Sequence, residues 1–322
     1  MGLRIVWLSM IAAPAILLTL PAGQDPGGQP EPHELDEVVV SATRRAQAEA
    51  FTEAVAAPAR GRSLARWHDP ICVGVANMQA EAARAMIDRI YDWAHSFGVA
   101  IGSSRCRTNV FVVATEDGAA TARELVSARP REFRTGVSGA DRGSAALRRF
   151  QQGDRPVRWW HVSLPVDEQT GDPIRRLPGQ APVEWTGRRF QKKSDFGVNQ
   201  MTVMPSRLGT GARDDLQQVI IVIDSAALER ATFQQLTDYV AMVALAQIDD
   251  EARAFAVPSI LGLFDGGGDV GALSDWDRAF LVGLYGTWQT SSDSRANLSA
   301  VAAAMARRLG ADAQHSEVAS GE

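Results

Sequence analysis

Apolar positions follow two rhythms along this chain. From Gln79 to Phe97, residues Met86, Ile90, Trp93, Ala94 and Phe97 recur at helical spacing, and Gly98 supplies a stop. Flanking this helix are two apolar runs of strand length, Ile71 to Ala76 and Asn109 to Thr115. The second is apolar throughout Val110 to Ala114, which predicts a strand covered on both faces. Strand, helix and strand in that order predict a crossover between parallel strands. A short helix from Gly118 to Ala128 follows, ended by Pro130.

Pro156 to Val166 reads as a strand with little amphipathic contrast. Val157, Trp159, His161 and Ser163 share one face; Arg158, Trp160, Val162 and Leu164 share the other. A sheet edge or flap fits it, with a turn at Thr170 to Pro173 and a return strand from Val183 to Arg188. Val219 to Ile223 forms a further buried strand. Thr232 and Gln235 then make a capping box for a helix reaching about Ile248, and Ser274 with Asp277 opens another. A last, Ala-rich helix from Ser294 to Leu309 closes with Arg307, Arg308 and Gly310. This alternation predicts a mixed α/β (α+β) fold, with a central mixed sheet, crossover helices and a helical C-terminal part.

The N-terminus has a different character. Met1 to Arg4 lead into a mostly apolar run, Ile5 to Leu20, broken by Pro14 and ended by Pro21-Ala22-Gly23. That pattern predicts an export signal over residues 1–23, cleaved near Ala22 or Gly23, with retention as an anchor the alternative. Residues 24–62 then read as a disordered linker: first a Gly/Pro/Gln-rich tether, later an Ala-rich, partly helical stretch. A single globular domain is expected over 63–310 and a disordered tail over 311–322. Inside the linker, Asp36-Glu37-Val38-Val39-Val40-Ser41-Ala42-Thr43-Arg44-Arg45 resembles the TonB box of TonB-dependent outer-membrane receptors. The resemblance implies an extended segment, with Glu37, Val38, Val39 and Val40 adding as a strand to a periplasmic partner. The alternating pattern of a receptor barrel is missing, and the remaining length is too short for a plug and a large barrel.

Composition narrows the function classes. With 45% hydrophobic and 22% charged residues the chain is ordinary globular material, and a net charge of -5 argues against nucleic-acid binding. Arg129 to Lys193 carries fourteen basic against seven acidic residues, whereas Asp214 to Asp293 carries three basic against thirteen acidic. Either the basic stretch forms a groove for an anionic ligand, or the two stretches solvate or pair with each other. Cys72 and Cys106 are the only cysteines, and in an exported domain they are expected to form a disulfide at one end of the sheet.

Candidate chemistry is scattered. Gln235 to Leu245, Ser259 to Asp265 and Leu273 to Tyr285 together resemble a family of secreted proteobacterial proteins. More remotely, they are similar to zincin-like peptidase domains, in which a helix, a Ser-Ile turn and a helix ending in Leu-Tyr recur in this order. A zincin needs two histidines four apart on one helix; His33, His68, His95, His161 and His315 supply no such pair. The resemblance therefore implies a degenerate scaffold without its metal, and no metal or cofactor is expected. Three side chains could still form an acid–base cluster: His68, His161 and Asp224. Trp159, Trp160 and Trp185 near Arg155, Arg158, Arg188 and Arg189 could stack on a sugar or hold a peptide, or could pack as edge-strand aromatics. Asp265 to Asp269 lacks the spaced carboxylates of a calcium loop, Ser225 lacks a nucleophile elbow, and Gly209-Thr210-Gly211 lacks a phosphate-cradling continuation.

The sequence thus points to a periplasmic or secreted envelope protein that binds an envelope protein or a wall or peptide ligand without catalysis. A periplasmic metal-dependent hydrolase and a TonB-engaging adaptor are the alternatives.

Overall fold

A computed structural model describes residues 32–59, 62–134, 142–168, 170–173, 183–185, 190–192, 212–228, 231–252, 256–266, 270–287 and 294–320. Side chains at 32–38, 183–185, 190–192 and 316–320 fall outside that description, as does the expected export signal. The chain divides into two units, Met1–Val39 and Val40–Glu322. Of the first, only residues 32–39 are described, and they are helical. The second contains the sheet and its covering helices.

In chain order the elements are α1 (Pro32–Val55), β1 (Val73–Ala76), α2 (Ala80–Ser96), β2 (Val110–Thr115), α3 (Gly118–Ala128), α4 (Pro130–Phe133) and α5 (Gly143–Gln152). Then come β3 (Val157–Asp167), β4 (Val183–Trp185), β5 (Phe190–Lys192), β6 (Ala212–Asp224), α6 (Phe233–Leu245), α7 (Asp275–Gly286) and α8 (Ser294–Ser320). The main sheet has the order β1-β2-β6-β3, with β1, β2 and β6 parallel and β3 antiparallel to β6. The fold is therefore mixed α/β, with a mixed central sheet.

The first crossover forms for the reasons the apolar spacing gives. Met86, Ile90 and Ala94 of α2 are buried on one stripe, and Gly98, at φ 75°, takes the left-handed conformation that ends the helix region. Cys72, next to β1, is disulfide-bonded to Cys106, ahead of β2, with Cα atoms 5.9 Å apart.

Two apolar clusters lie against the sheet. The larger joins Val110, Val112, Val157, Trp159, Val219, Ile221 and Ile223 to α1, α2, α6, α7 and α8. The smaller joins Trp160, Val162, Leu164, Val166, Ile220 and Val222 to α3, α4 and α5. Helix α6 is buried from Gln235 to Leu245, which is why it is apolar on nearly every side. Its Asp238 accepts hydrogen bonds from Arg89 (2.7 and 2.9 Å), Trp93 Nε1 (2.7 Å) and the Leu273 N–H (3.2 Å).

The structure corrects several boundaries. Residues 32–55 are helix rather than disordered linker, and Ala48, Phe51 and Val55 lie in the larger cluster, so the packed region begins well before residue 63. Helix continues past Gly310 to Ser320, through most of the expected tail. β2 is fully buried only at Val110 and Val112. β3 does form the sheet edge, yet it is buried from Val157 to Val166 rather than being a flap. Val183–Trp185 is a strand, but it pairs with β5 and not with β3.

Candidate functional site

The sheet separates the residues expected to form an acid–base cluster. His68 Nδ1 lies 2.6 Å from Asp215 Oδ1, at the start of β6, while its Nε2 accepts from Arg66 Nε at 3.4 Å. Asp224 stands at the other end of the same strand. Nine positions of extended chain put it roughly 30 Å from Asp215. His161 pairs in register with Val219, between these ends, and its side chain turns to α6. There Nε2 is 2.8 Å from the Val243 carbonyl oxygen; a carbonyl only accepts, so Nε2 carries the proton. Burial pushes the His161 pKa down to about 4, against the opposing pull of that hydrogen bond. His68, His161 and Asp224 are thus three separate local arrangements.

The aromatic cluster also comes apart. Trp159 and Trp160 are consecutive on β3 and therefore point to opposite faces. Each is buried in its own core: Trp159 Nε1 donates to the Ile248 carbonyl at 2.9 Å, and Trp160 Nε1 to the Phe133 carbonyl at 3.0 Å. Neither is a platform for a sugar on an open surface. The Trp185 side chain, Arg188 and Arg189 lie outside the described residues.

Other expected sites resolve as follows. Residues 36–45 are helical rather than extended; Val39 and Val40 are 62% and 53% exposed, and the side chains of Glu37 and Val38 are outside the description. Ser225 Oγ donates to the Thr115 carbonyl at 3.0 Å. Asp265 pairs with Arg155 at 3.2 Å, while 267–269 and 209–211 lie outside the described residues. The Ser-Ile turn has a structural role: buried Asp277 of α7 accepts from Ser259 Oγ at 2.6 Å and from the Ile260 N–H at 2.8 Å. Among the described residues, no group of three or more His, Cys, Asp or Glu is placed to hold a metal ion.

The opposed charge stretches do meet. Arg142 pairs with Asp249 and Asp250, Arg149 with Asp250 and Glu251, and Arg155 with Asp265. Burial would raise the Asp250 carboxyl, but the Arg149 hydrogen bond and the charges of Arg142 and Arg149 outweigh it and hold it below the ordinary range.

Beside these pairs, at the amino end of β3, lies a cleft of about 280 Å³ lined by Arg149, Phe150, Arg155, Arg158, Trp159 and Asp250. The register places it next to the carboxyl ends of β2 and β6: Thr115 pairs with Asp224, and the Asp224 N–H donates to the Pro156 carbonyl at 2.7 Å. In open α/β sheets that end is where ligands bind. Arg155 and Arg158 are both 7% exposed. Sequence reasoning named both arginines but missed Phe150 and Asp250, which reach the cleft from segments more than ninety positions apart. No protein-family model, curated protein or solved structure matches this chain.

Proposed function

We propose that this chain is an exported, disulfide-linked domain of the cell envelope that acts by binding a small ligand or a partner rather than by catalysis. The observation that carries the binding half is the separation of His161 on β3, Asp224 at the carboxyl end of β6 and His68 against Asp215 near its start, beside a formed cleft whose lining contains arginines and aromatic residues but no histidine. The Cys72–Cys106 bond supports the export half, because such bonds persist in oxidising compartments. The helical state of residues 36–45 does not favour the TonB-adaptor reading, which requires an extended strand. The degenerate zincin-like scaffold remains part of this proposal as a resemblance of element order: α6, the Ser259 turn and α7 follow one another as that reading requires.

Cell fractionation combined with metal analysis of the purified protein tests both halves. The proposal expects the chain in the envelope or medium, with far less than one zinc per chain. Stoichiometric zinc would restore the hydrolase reading, and retention in the cytoplasm would remove the export one.

A further inference from the structure

We infer that the cleft at the amino end of β3 binds the carboxylate of a small, singly charged ligand. The inference deepens the binding reading above and rests on it. It starts from Arg158. The Nη2 of this residue donates to the Gly153 carbonyl at 2.5 Å, but Nε and Nη1 are buried without a hydrogen-bond partner. No carboxylate among the described residues forms an ion pair with it. A guanidinium held in that way is costly unless an anion comes to it. Burial accordingly lowers the Arg158 pKa, although the charges of Asp224, Asp117 and Asp154 oppose the shift.

Two acidic neighbours of Arg158 serve the start of α3: Asp224 Oδ2 accepts from the Gly118 N–H at 2.9 Å and Asp117 Oδ1 from the Ala120 N–H at 2.8 Å, while Asp224 Oδ1 is buried without a partner. Gly118 is required for this arrangement: a Cβ there would stand 2.6 Å from Arg158 Nη1. Arg155 adds to the same wall. Its Nη1 donates to Tyr239 Oη at 3.0 Å and its Nη2 reaches the Ala252 carbonyl and Asp265, while its Nε is buried without a partner. Two nearly buried arginines thus line one cavity, each with N–H groups that bond nothing among the described residues.

Ligand class follows from the rest of the lining. Phe150, Val157 and Trp159 supply apolar surface, and a volume of about 280 Å³ admits a small molecule or a chain end rather than a folded partner. Asp154, Asp250 and Glu251 also line the cleft and repel multiply charged anions. A planar carboxylate with one charge and an apolar flank matches a guanidinium edge best. It could belong to a free organic acid or to the end of a peptide.

Calorimetric titration and thermal unfolding with benzoate, N-acetylalanine and inorganic phosphate test the inference on the full mature chain. At least one carboxylate is expected to bind and to raise the unfolding midpoint. Benzoate the tighter assigns a free acid, and N-acetylalanine the tighter assigns a peptide end. Arg158→Met is expected to weaken carboxylate binding by about tenfold or more, because bonds to a charged donor are lost; Arg158→Lys should retain part of it. Gly118→Ala, which keeps the arginine but crowds it, should also weaken binding. No binding of either carboxylate to the wild-type chain, tighter binding of phosphate than of both, or undiminished binding by Arg158→Met would overturn the inference. Zinc content and cell location are unaffected by these outcomes, so the cleft can fail while the reading it rests on stands.

Discussion

Cys72 and Cys106 are covalently joined at the end of the sheet where β1 and β2 both begin, closing the crossover through α2 over a separation of 34 residues. In the chain-entropy account a loop of that size is worth about 3 to 4 kcal/mol. Replacing both cysteines by alanine should lower urea-unfolding stability by about that amount and steepen the dependence on urea, because the unfolded chain without its cross-link exposes more surface. A loss under about 1 kcal/mol would mean that packing of α2 already confines the unfolded chain.

Asp238 makes a second tie, between α6 and α2. It is fully buried and accepts from Arg89, Trp93 and the Leu273 backbone. Asp238→Ala should cost about 3 kcal/mol, since Trp93 Nε1 and the Leu273 N–H lose their acceptor, while the partly exposed Arg89 recovers water. Chemical denaturation measures it. Asp238→Asn should cost less, because one acceptor oxygen remains.

Asp277 and Ser274 test whether the start of α7 and the Ser259 turn behave as one unit. Ser274→Ala alone should cost about 1 kcal/mol as a lost cap. Asp277→Ala should cost more, because Ser259 Oγ and the Ile260 N–H lose their buried acceptor as well. The double variant should fall short of the sum, since the two residues bond each other. Full additivity in unfolding measurements would contradict the shared network.

His161 makes stability depend on pH with a definite sign. Its folded pKa of about 4 lies below its ordinary 6.5, so the unfolded chain binds the proton first. The contribution is complete above pH 6.5 and is lost as pH falls towards 4, amounting to about 3 kcal/mol. Arg142 and Asp250 bear on the same ring with opposite effects, so comparison with His161→Gln isolates the histidine. Unfolding free energy against pH should fall more steeply for the wild type over that window. Parallel curves would show that the ring stays accessible to protons in the folded state.

Much of the fold was legible because its signals are local. Gly98, the Thr232–Gln235 box, the Ser274–Asp277 box and the bounds of α3 each depend on residues within a few positions of one another. β6 shows what local reading misses. Only Val219 to Ile223 looked buried, yet the strand starts at Ala212 and buries Asp214 and Asp215. Those carboxylates are held by Arg62, the Ser63 N–H, Arg213 and His68, partners mostly about 150 positions away that no sequence window contains. Helix α1 reads only as a partly helical linker for another reason: among the described residues its buried side chains are Ala48, Phe51, Thr52 and Val55, a narrow stripe in an Ala-rich stretch. The cleft combines β3, α5 and the segment after α6. Arg155 and Arg158 could be named from the sequence, whereas the individual N–H groups they leave without partners could not.

The most direct test of the account is the state of sulfur in the chain as its native host produces it. Intact-mass measurement after alkylation without reductant, on protein recovered from the envelope or medium, should show Cys72 and Cys106 unmodified and the chain lighter by two hydrogens than its thiol form. Alkylation of both cysteines in that material would contradict the proposed compartment and the covalent closure of the first crossover.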